Sequence, residues 1–438
     1  MKNIGIKNII TGIFVIGAAF GLLIFSGVVK LGGDQQQAVG TVTVWGTIAS
    51  ETIEPYMEYV RTTDLTVNYV AKRPQTYEND LINAFASGTG PDLFLMSHEG
   101  LIRNRDKVFE IPFDSFSRES YEQLYIDESR LFLTSTGSTA LPLTVDPLIM
   151  YYNKSLLSSS FILDIPSYWD EFIEFAPQIT ESTASGELVL SAVALGTFDN
   201  IPHAKSIIAT LLMQNGNPIV GNDEFTNKKV STLAGENGAY DASREALDFY
   251  TSFAEFGSNT YSWNEALVDA RNKFIAGELA IYFGRASEVE DIRRKNPNLD
   301  FGVAILPQLR SSNIKITQGN MMGVGISKQT KNLTAAFSVA SGMAGTYFVD
   351  GLANDLLVAP AHKDLLKNKP DDALRSLVYN SAIISRSWID PAPEKTNDLF
   401  RTMIRNINSG AQNIDDAINR TDRSLKTILD QSINTISQ

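Results

Sequence analysis

Apolar positions along the chain follow more than one spacing. Ile9 to Val29, IITGIFVIGAAFGLLIFSGVV, is an uncharged run of 21 residues. As a helix it would be about 30 Å long, the thickness of a bilayer's hydrocarbon core. A secretory signal core is shorter, roughly 7–15 apolar residues closed by a small-residue cleavage site. Ala18-Ala19-Phe20 sits inside the run rather than at its end. Lys2 and Lys7 precede the run and Lys30 follows it, which by the positive-inside rule places the N-terminus in the cytoplasm. The pattern predicts an uncleaved transmembrane helix with the rest of the chain outside the cytoplasmic membrane; the alternative is a cleaved signal. Leu31–Gly40, LGGDQQQAVG, is polar, glycine-containing and aperiodic, the composition of a flexible linker.

From Thr41 onward short apolar runs alternate with helical periods. TVTVW (Thr41–Trp45) is a β-branched run that predicts a buried strand. Ser50 is placed to cap a helix carrying Ile53, Met57 and Val60. LTVNYV (Leu65–Val70) reads as a second strand, Tyr77–Phe85 as a helix, and LFLM (Leu93–Met96) as a third strand after the break Gly88, Gly90, Pro91-Asp92. This order predicts an α/β layout with a mostly parallel sheet. Further on, ALPLTVDPLIMYYNKSLL is β-rich and runs into a helix start, and Ser167 can cap a helix bearing Trp169, Phe172, Ile173 and Ala176. Helices are expected at Ile207–Gln214, Ser243–Phe256, Trp263–Ala276 and Leu333–Phe348, with strands at Ala280–Gly284, Phe301–Leu306 and Val324–Ser327. The tail, Lys395–Ile436, reads as two amphipathic helices split at Ser409-Gly410.

Composition narrows the chemistry. With 438 residues, 43% of them hydrophobic and 20% charged, the chain is globular and long enough for two or three domains. Lys plus Arg number 37 against 50 Asp plus Glu, a formal net charge of −13. There is no long basic block, so the chain lacks an electrostatic footprint for nucleic acid. With no cysteine there is no disulfide, thiol nucleophile, zinc-thiolate site or iron–sulfur cluster. His98, His203 and His362 share no short spacing, so no metal site is expected. GxSxG, HExxH, Walker A and GxGxxG patterns are absent. No catalytic residue and no cofactor are assigned.

Several pieces in chain order then carry a resemblance: TVTVW, AFASGTGPDLFLM, PLTVDPLIMYYNKSLL, PSYWDEFIEFA, NKFIAGELAIYFG, FGVAILP and the C-terminal helices. From Thr41 to the end the chain resembles the extracellular solute-binding proteins of ABC importers, family 1, the group that includes maltose-binding protein. The resemblance implies a two-lobed, periplasmic-binding-protein-like (type II) α/β clamp that closes on a ligand. Chain crossings are placed near Met150, near Leu306 and around Ala335–Phe348. The expected organisation is an anchor at 1–30 and a linker at 31–40. Lobe 1 is then 41–149 with about 303–340, and lobe 2 is 150–302 with about 341–438.

Candidate ligand residues follow from strand ends and from the resemblance. In α/β sheets the carboxyl end of a strand faces the crevice, which picks out Trp45 for stacking, or as a core residue. At the same end Ser97 and His98 either bind ligand or cap the next helix, and the Tyr77 phenol either reaches the cleft or packs at the surface. Asp146 is held extended by Pro147; it is a turn residue or, since the resemblance puts ligand-facing polar groups near this strand, a ligand contact. Tyr151 and Tyr152 point to opposite faces of it, with Tyr151 assigned to the cleft; Asn153 and Lys154 start the next helix. Trp263, Gly284, Arg285, Asn320 within Gln318-Gly319-Asn320, and Trp388 are the candidates of the second lobe and hinge. Trp388 lies in ISRSWIDPAP, a segment without helical period, and is expected to be exposed on a loop.

The resulting expectation is a monomeric, membrane-anchored solute-binding protein, not an enzyme. Its partners are a small solute, a sugar or oligosaccharide first, the membrane subunits of an ABC transporter, and the bilayer through Ile9–Val29. An extracytoplasmic carbohydrate-active enzyme and a ligand sensor on the same scaffold are the alternatives.

Overall fold

Residues 38–223, 228–236 and 238–434 are described by a computed structural model of the chain. The expected membrane helix, Ile9–Val29, lies outside them. Among the described residues no helix is long and apolar enough to cross a membrane.

In chain order, the first stretch forms β1 (Gly40–Gly46), α1 (Ser50–Met57), β2 (Leu65–Ala71), α2 (Tyr77–Ala86) and β3 (Leu93–Ser97). Next come β4 (Leu141–Asn153), α3 (Phe172–Ile179), β5 (Leu188–Val193), α4 (Ala204–Gln214), α5 (Ala270–Ile275) and β6 (Leu279–Arg285). The remainder supplies β7 (Phe301–Ile305), β8 (Thr317–Ile326), α6 (Leu333–Met343), α7 (Thr346–Leu356), α8 (Pro393–Asn408) and α9 (Ile414–Leu429). The chain divides into two compact units, one running to Val145 with Asn320–Asp371, the other Asp146–Gly319 with Asp372–Gln438.

In the first unit the sheet order is β2-β1-β3-β8-β4. β1 pairs in parallel with β2 and β3, whereas β8 runs antiparallel to β3, Met322 opposite Ser97 and Ile326 opposite Leu93. Alternation in GTVTVWG sends Val42 and Val44 into a core closed by Ile53 and Met57 of α1 and by Val339, Ala340 and Met343 of α6. Asp92 explains the GPD motif. Its carboxylate accepts the Thr43 N–H at 2.9 Å and the Thr330 hydroxyl at 2.6 Å, fastening β1 to the turn after β8.

In the second unit β4 is flanked by β7 and β6, both antiparallel to it, and β5 lies parallel to β6. One aromatic cluster gathers Trp169, Phe172 and Phe283, and another Tyr151, Phe274, Tyr282 and Phe301. The Trp169 indole donates to Gln214 Oε1 at 2.6 Å, and the Gln214 amide donates to the carbonyls of Pro307 and Ile316 at 3.0 and 2.7 Å. Asn153 accepts the Leu156 N–H at 3.2 Å and so starts the next helix. Gly277, at φ 84°, turns α5 into β6, a conformation that favours glycine.

Four expectations are corrected. The sheets are mixed, because β4 and β8 each meet a partner antiparallel. Trp263 precedes its expected helix: the Asp269 side chain accepts the Asn272 N–H at 3.2 Å and starts the helix only at Ala270. Leu333–Phe348 is two helices, since Gly345 adopts extended backbone as the N-cap of α7. The chain passes between the units after Val145, close to the crossing expected near Met150, and then after Gly319 and Asp371 rather than near Leu306 and around Ala335–Phe348. Pairing of β7 with Ile149–Asn153 keeps residues 301–305 in the second unit. Edge contact of Phe348 with Tyr56 of α1, ring centres 6.0 Å apart, keeps α7 in the first.

Candidate functional site

In the first unit the candidates gather at the carboxyl ends of the parallel strands. Tyr77 is buried, and its hydroxyl donates to the carbonyls of Leu95 at 2.6 Å and Trp45 at 3.1 Å. It thus staples the ends of β1 and β3 together, and burial pushes its phenol well above the ordinary value. A cleft-reaching phenol is therefore corrected to a structural one. Trp45 is half-buried, and the Lys72 ammonium lies 3.6 Å from its ring centre. Ser97, half-buried, ends β3 without capping the turn that follows with its side chain; His98, next to it, is buried. Asn320 is exposed within β8.

In the second unit Arg285 ends β6 and joins four segments. Its Nη1 donates to the Asp146 and Gln318 carbonyls, each at 3.0 Å, and its Nη2 donates to Ser206 Oγ at 3.2 Å and to the Gln318 side-chain oxygen. Gln318 in turn donates to Ser387 Oγ at 2.9 Å, and the Ser387 hydroxyl donates to the Gly319 carbonyl at 2.6 Å. The Asp146 carboxylate accepts the Ser287 hydroxyl at 2.6 Å and the Ser287 N–H at 3.2 Å. Burial raises its pKa, against the pull of Arg285 and Ser287.

Beneath Arg285 sits Glu288. One of its oxygens accepts the Arg285 N–H at 2.8 Å and lies 2.6 Å from His203 Nε2; the other accepts the Tyr282 hydroxyl at 2.9 Å and pairs with Arg271. Burial works to raise the Glu288 pKa, but His203 and these donors hold it below the ordinary glutamate value. Gly284 lets this turn close, since an added Cβ would lie 2.5 Å from the Tyr282 ring.

The remaining candidates are packed rather than presented. Tyr151 is fully buried and donates to the Arg285 carbonyl. Trp263 is fully buried, its indole donating to Asn200 Oδ1 at 3.0 Å. Trp388, expected to be exposed on its loop, is only 5% exposed and stacks on Phe400 of α8. Its segment is held down by Asp390, whose carboxylate takes Lys205 Nζ at 2.6 Å. Each has the same cause: a large ring finds apolar neighbours from distant segments that a local pattern does not display.

Asp146, Gly284 and Arg285 are brought into one network, and Trp45, Tyr77 and Ser97 to one sheet end. Sequence reasoning missed Lys72, Ser206, Ser287 and Glu288. Glu288 alone had a local signal, lying three residues after the strand-ending Arg285, the spacing of a capping carboxylate. Among the described residues no group of three or more His, Cys, Asp or Glu is placed to hold a metal ion.

Residues 49–345 match the family described as bacterial extracellular solute-binding protein. A putative binding protein of Brucella abortus (strain 2308) is 24% identical over 264 residues, 58% of this chain and 60% of that protein. The cyclic α-maltosyl-1,6-maltose binding protein of Arthrobacter globiformis superposes with a TM-score of 0.74 at 13% identity, over 90% of this chain and 100% of its own. The sugar-binding protein MalE of Xanthomonas citri gives 0.71 at 17% identity, over 91% and 100%. An ABC transporter solute-binding protein of Thermotoga lettingae, bound with α-D-tagatose, gives 0.66 at 18%, over 89% and 99%. The shared fold is the α/β, two-lobed, periplasmic-binding-protein-like one.

Proposed function

Because the chain belongs to the bacterial extracellular solute-binding protein family, we propose that it captures a carbohydrate outside the cytoplasmic membrane and hands it to an ABC permease. The family match over residues 49–345 carries this reading. Similar folds in proteins named for maltodextrins and other sugars favour carbohydrate as the solute class. Trp45, Ser97 and Asn320 keep accessible surface in the first unit and are proposed as its contacts. Asp146 and Arg285 are proposed to shape the contact surface of the second. A half-exposed indole suits the apolar face of a sugar ring, and the Ser97 hydroxyl and Asn320 amide suit its hydroxyls.

We further propose that Ile9–Val29 holds the protein in the membrane as a single pass. Carbonate-washed membranes should retain the full-length chain; a shortened form released to the soluble fraction would overturn the anchor. The solute class is tested by a thermal-shift screen of the full chain against sugars, amino acids, peptides and polyamines. Stabilisation confined to sugars is the expected result, and stabilisation by another class alone would overturn it.

A further inference from the structure

We propose that Lys72, over the Trp45 ring, forms an anion-recognising subsite, so that the preferred solute is a sugar carrying a carboxylate or phosphate; this rests on the carbohydrate-capture reading. Three observations in the first unit carry it. Trp45 lies opposite Val70 in the β1–β2 register, so Lys72, two residues further on, projects from the same sheet face. The Lys72 N–H donates to the Gly46 carbonyl at 2.8 Å, and the ammonium rests 3.6 Å from the indole centre. The ammonium is therefore fixed over a ring face that a sugar could stack on.

The second observation is charge. The chain holds 50 acidic residues against 37 basic ones. Yet among the described residues Lys72 forms no ion pair, and its ammonium meets the indole instead. A cation without an acid beside it, in so acidic a chain, leaves its charge available to an external anion.

The third is the way β1 ends. Its carboxyl end is fixed, because the Tyr77 hydroxyl holds the Trp45 carbonyl and an added Cβ at Gly46 would strike Leu95 and the Tyr69 hydroxyl at 2.6 Å. A neutral sugar stacking on the indole must displace the ammonium and can offer it only hydroxyl acceptors in return. A sugar with an anionic group pairs with the displaced ammonium and takes the ring face at once. The discrimination should be about tenfold or more, the scale of one hydrogen bond to a charged group.

The test is calorimetric titration of the full-length chain, held in a detergent without a sugar headgroup. The probes are maltotriose, trigalacturonate and glucose 6-phosphate, each at low and raised salt. At least one anionic probe should bind about tenfold or more tightly than maltotriose and weaken with salt; which one distinguishes carboxylate from phosphate. Lys72→Gln should remove most of that preference, while Lys331→Gln, a distant exposed lysine, should not. Lys72→Met, which keeps an apolar stem against the indole without the charge, repeats the test should Lys72→Gln melt early. Equal or tighter binding of maltotriose, or an anion preference that survives both variants, overturns the inference and leaves carbohydrate capture standing. Binding of none of the three, with an amino acid or peptide bound instead, overturns both.

Discussion

Trp388 stacks on Phe400, their ring centres 6.2 Å apart and their planes 26° from parallel. A buried aromatic in such a contact supports the fold, so Trp388→Ala should cost the ligand-free protein about 3–5 kcal/mol of stability. Trp388→Phe keeps most of the contact and should lose less. Denaturant melts of both variants check this; an unchanged melt for the alanine variant would show that the ring packs on nothing that matters.

Arg285 ties together Asp146, Ser206 and Gln318. Arg285→Met fills similar space but leaves two carbonyls and two side-chain oxygens short of a donor, a loss of roughly 3 kcal/mol. Arg285→Lys restores the charge without the planar fork and should recover less than half. A lysine variant as stable as wild type would mean that charge alone, not the shape of the guanidinium, holds the network.

His362 gives the protein an acid-sensitive element. It is buried in the first unit, its ring donating to the Ala344 carbonyl at 2.7 Å, and burial lowers its pKa from 6.5 to about 4. The unfolded chain therefore takes up the proton first as pH falls. The stabilisation is fully present above pH 6.5 and is lost progressively between there and about 4, up to about 3 kcal/mol. His362→Gln should flatten this part of the acid limb. Melting curves recorded from pH 8 to pH 4 for both proteins read the difference; parallel curves would contradict the assignment.

The motifs that make the family resemblance legible are folding motifs. Asp92 fastens a strand, Asn153 starts a helix and Gly277 makes a turn only glycine makes cheaply. Each acts within a few residues or through a backbone preference, so sequence displays it. The end of β6 at Gly284-Arg285 was visible for the same reason. Tyr151 was not, because alternation says that it and Tyr152 face opposite ways without saying which way is inward. Trp388 misled because Pro391 and Pro393 mark a loop, while Lys205 and Phe400, which hold that loop down, lie elsewhere in the chain. Lys72 was invisible because its contact with Trp45 depends on the register of two strands that only the folded sheet sets.

On the proposed function the chain binds a carbohydrate and returns it unaltered. Calorimetric titration of the full-length chain with the best sugar of the thermal-shift screen, followed by recovery and mass analysis of that sugar after prolonged incubation, tests both halves together. The expected result is one saturable binding event per chain and complete recovery of the intact sugar. Conversion of the sugar to a new species, or no saturable binding by any carbohydrate, would overturn that function.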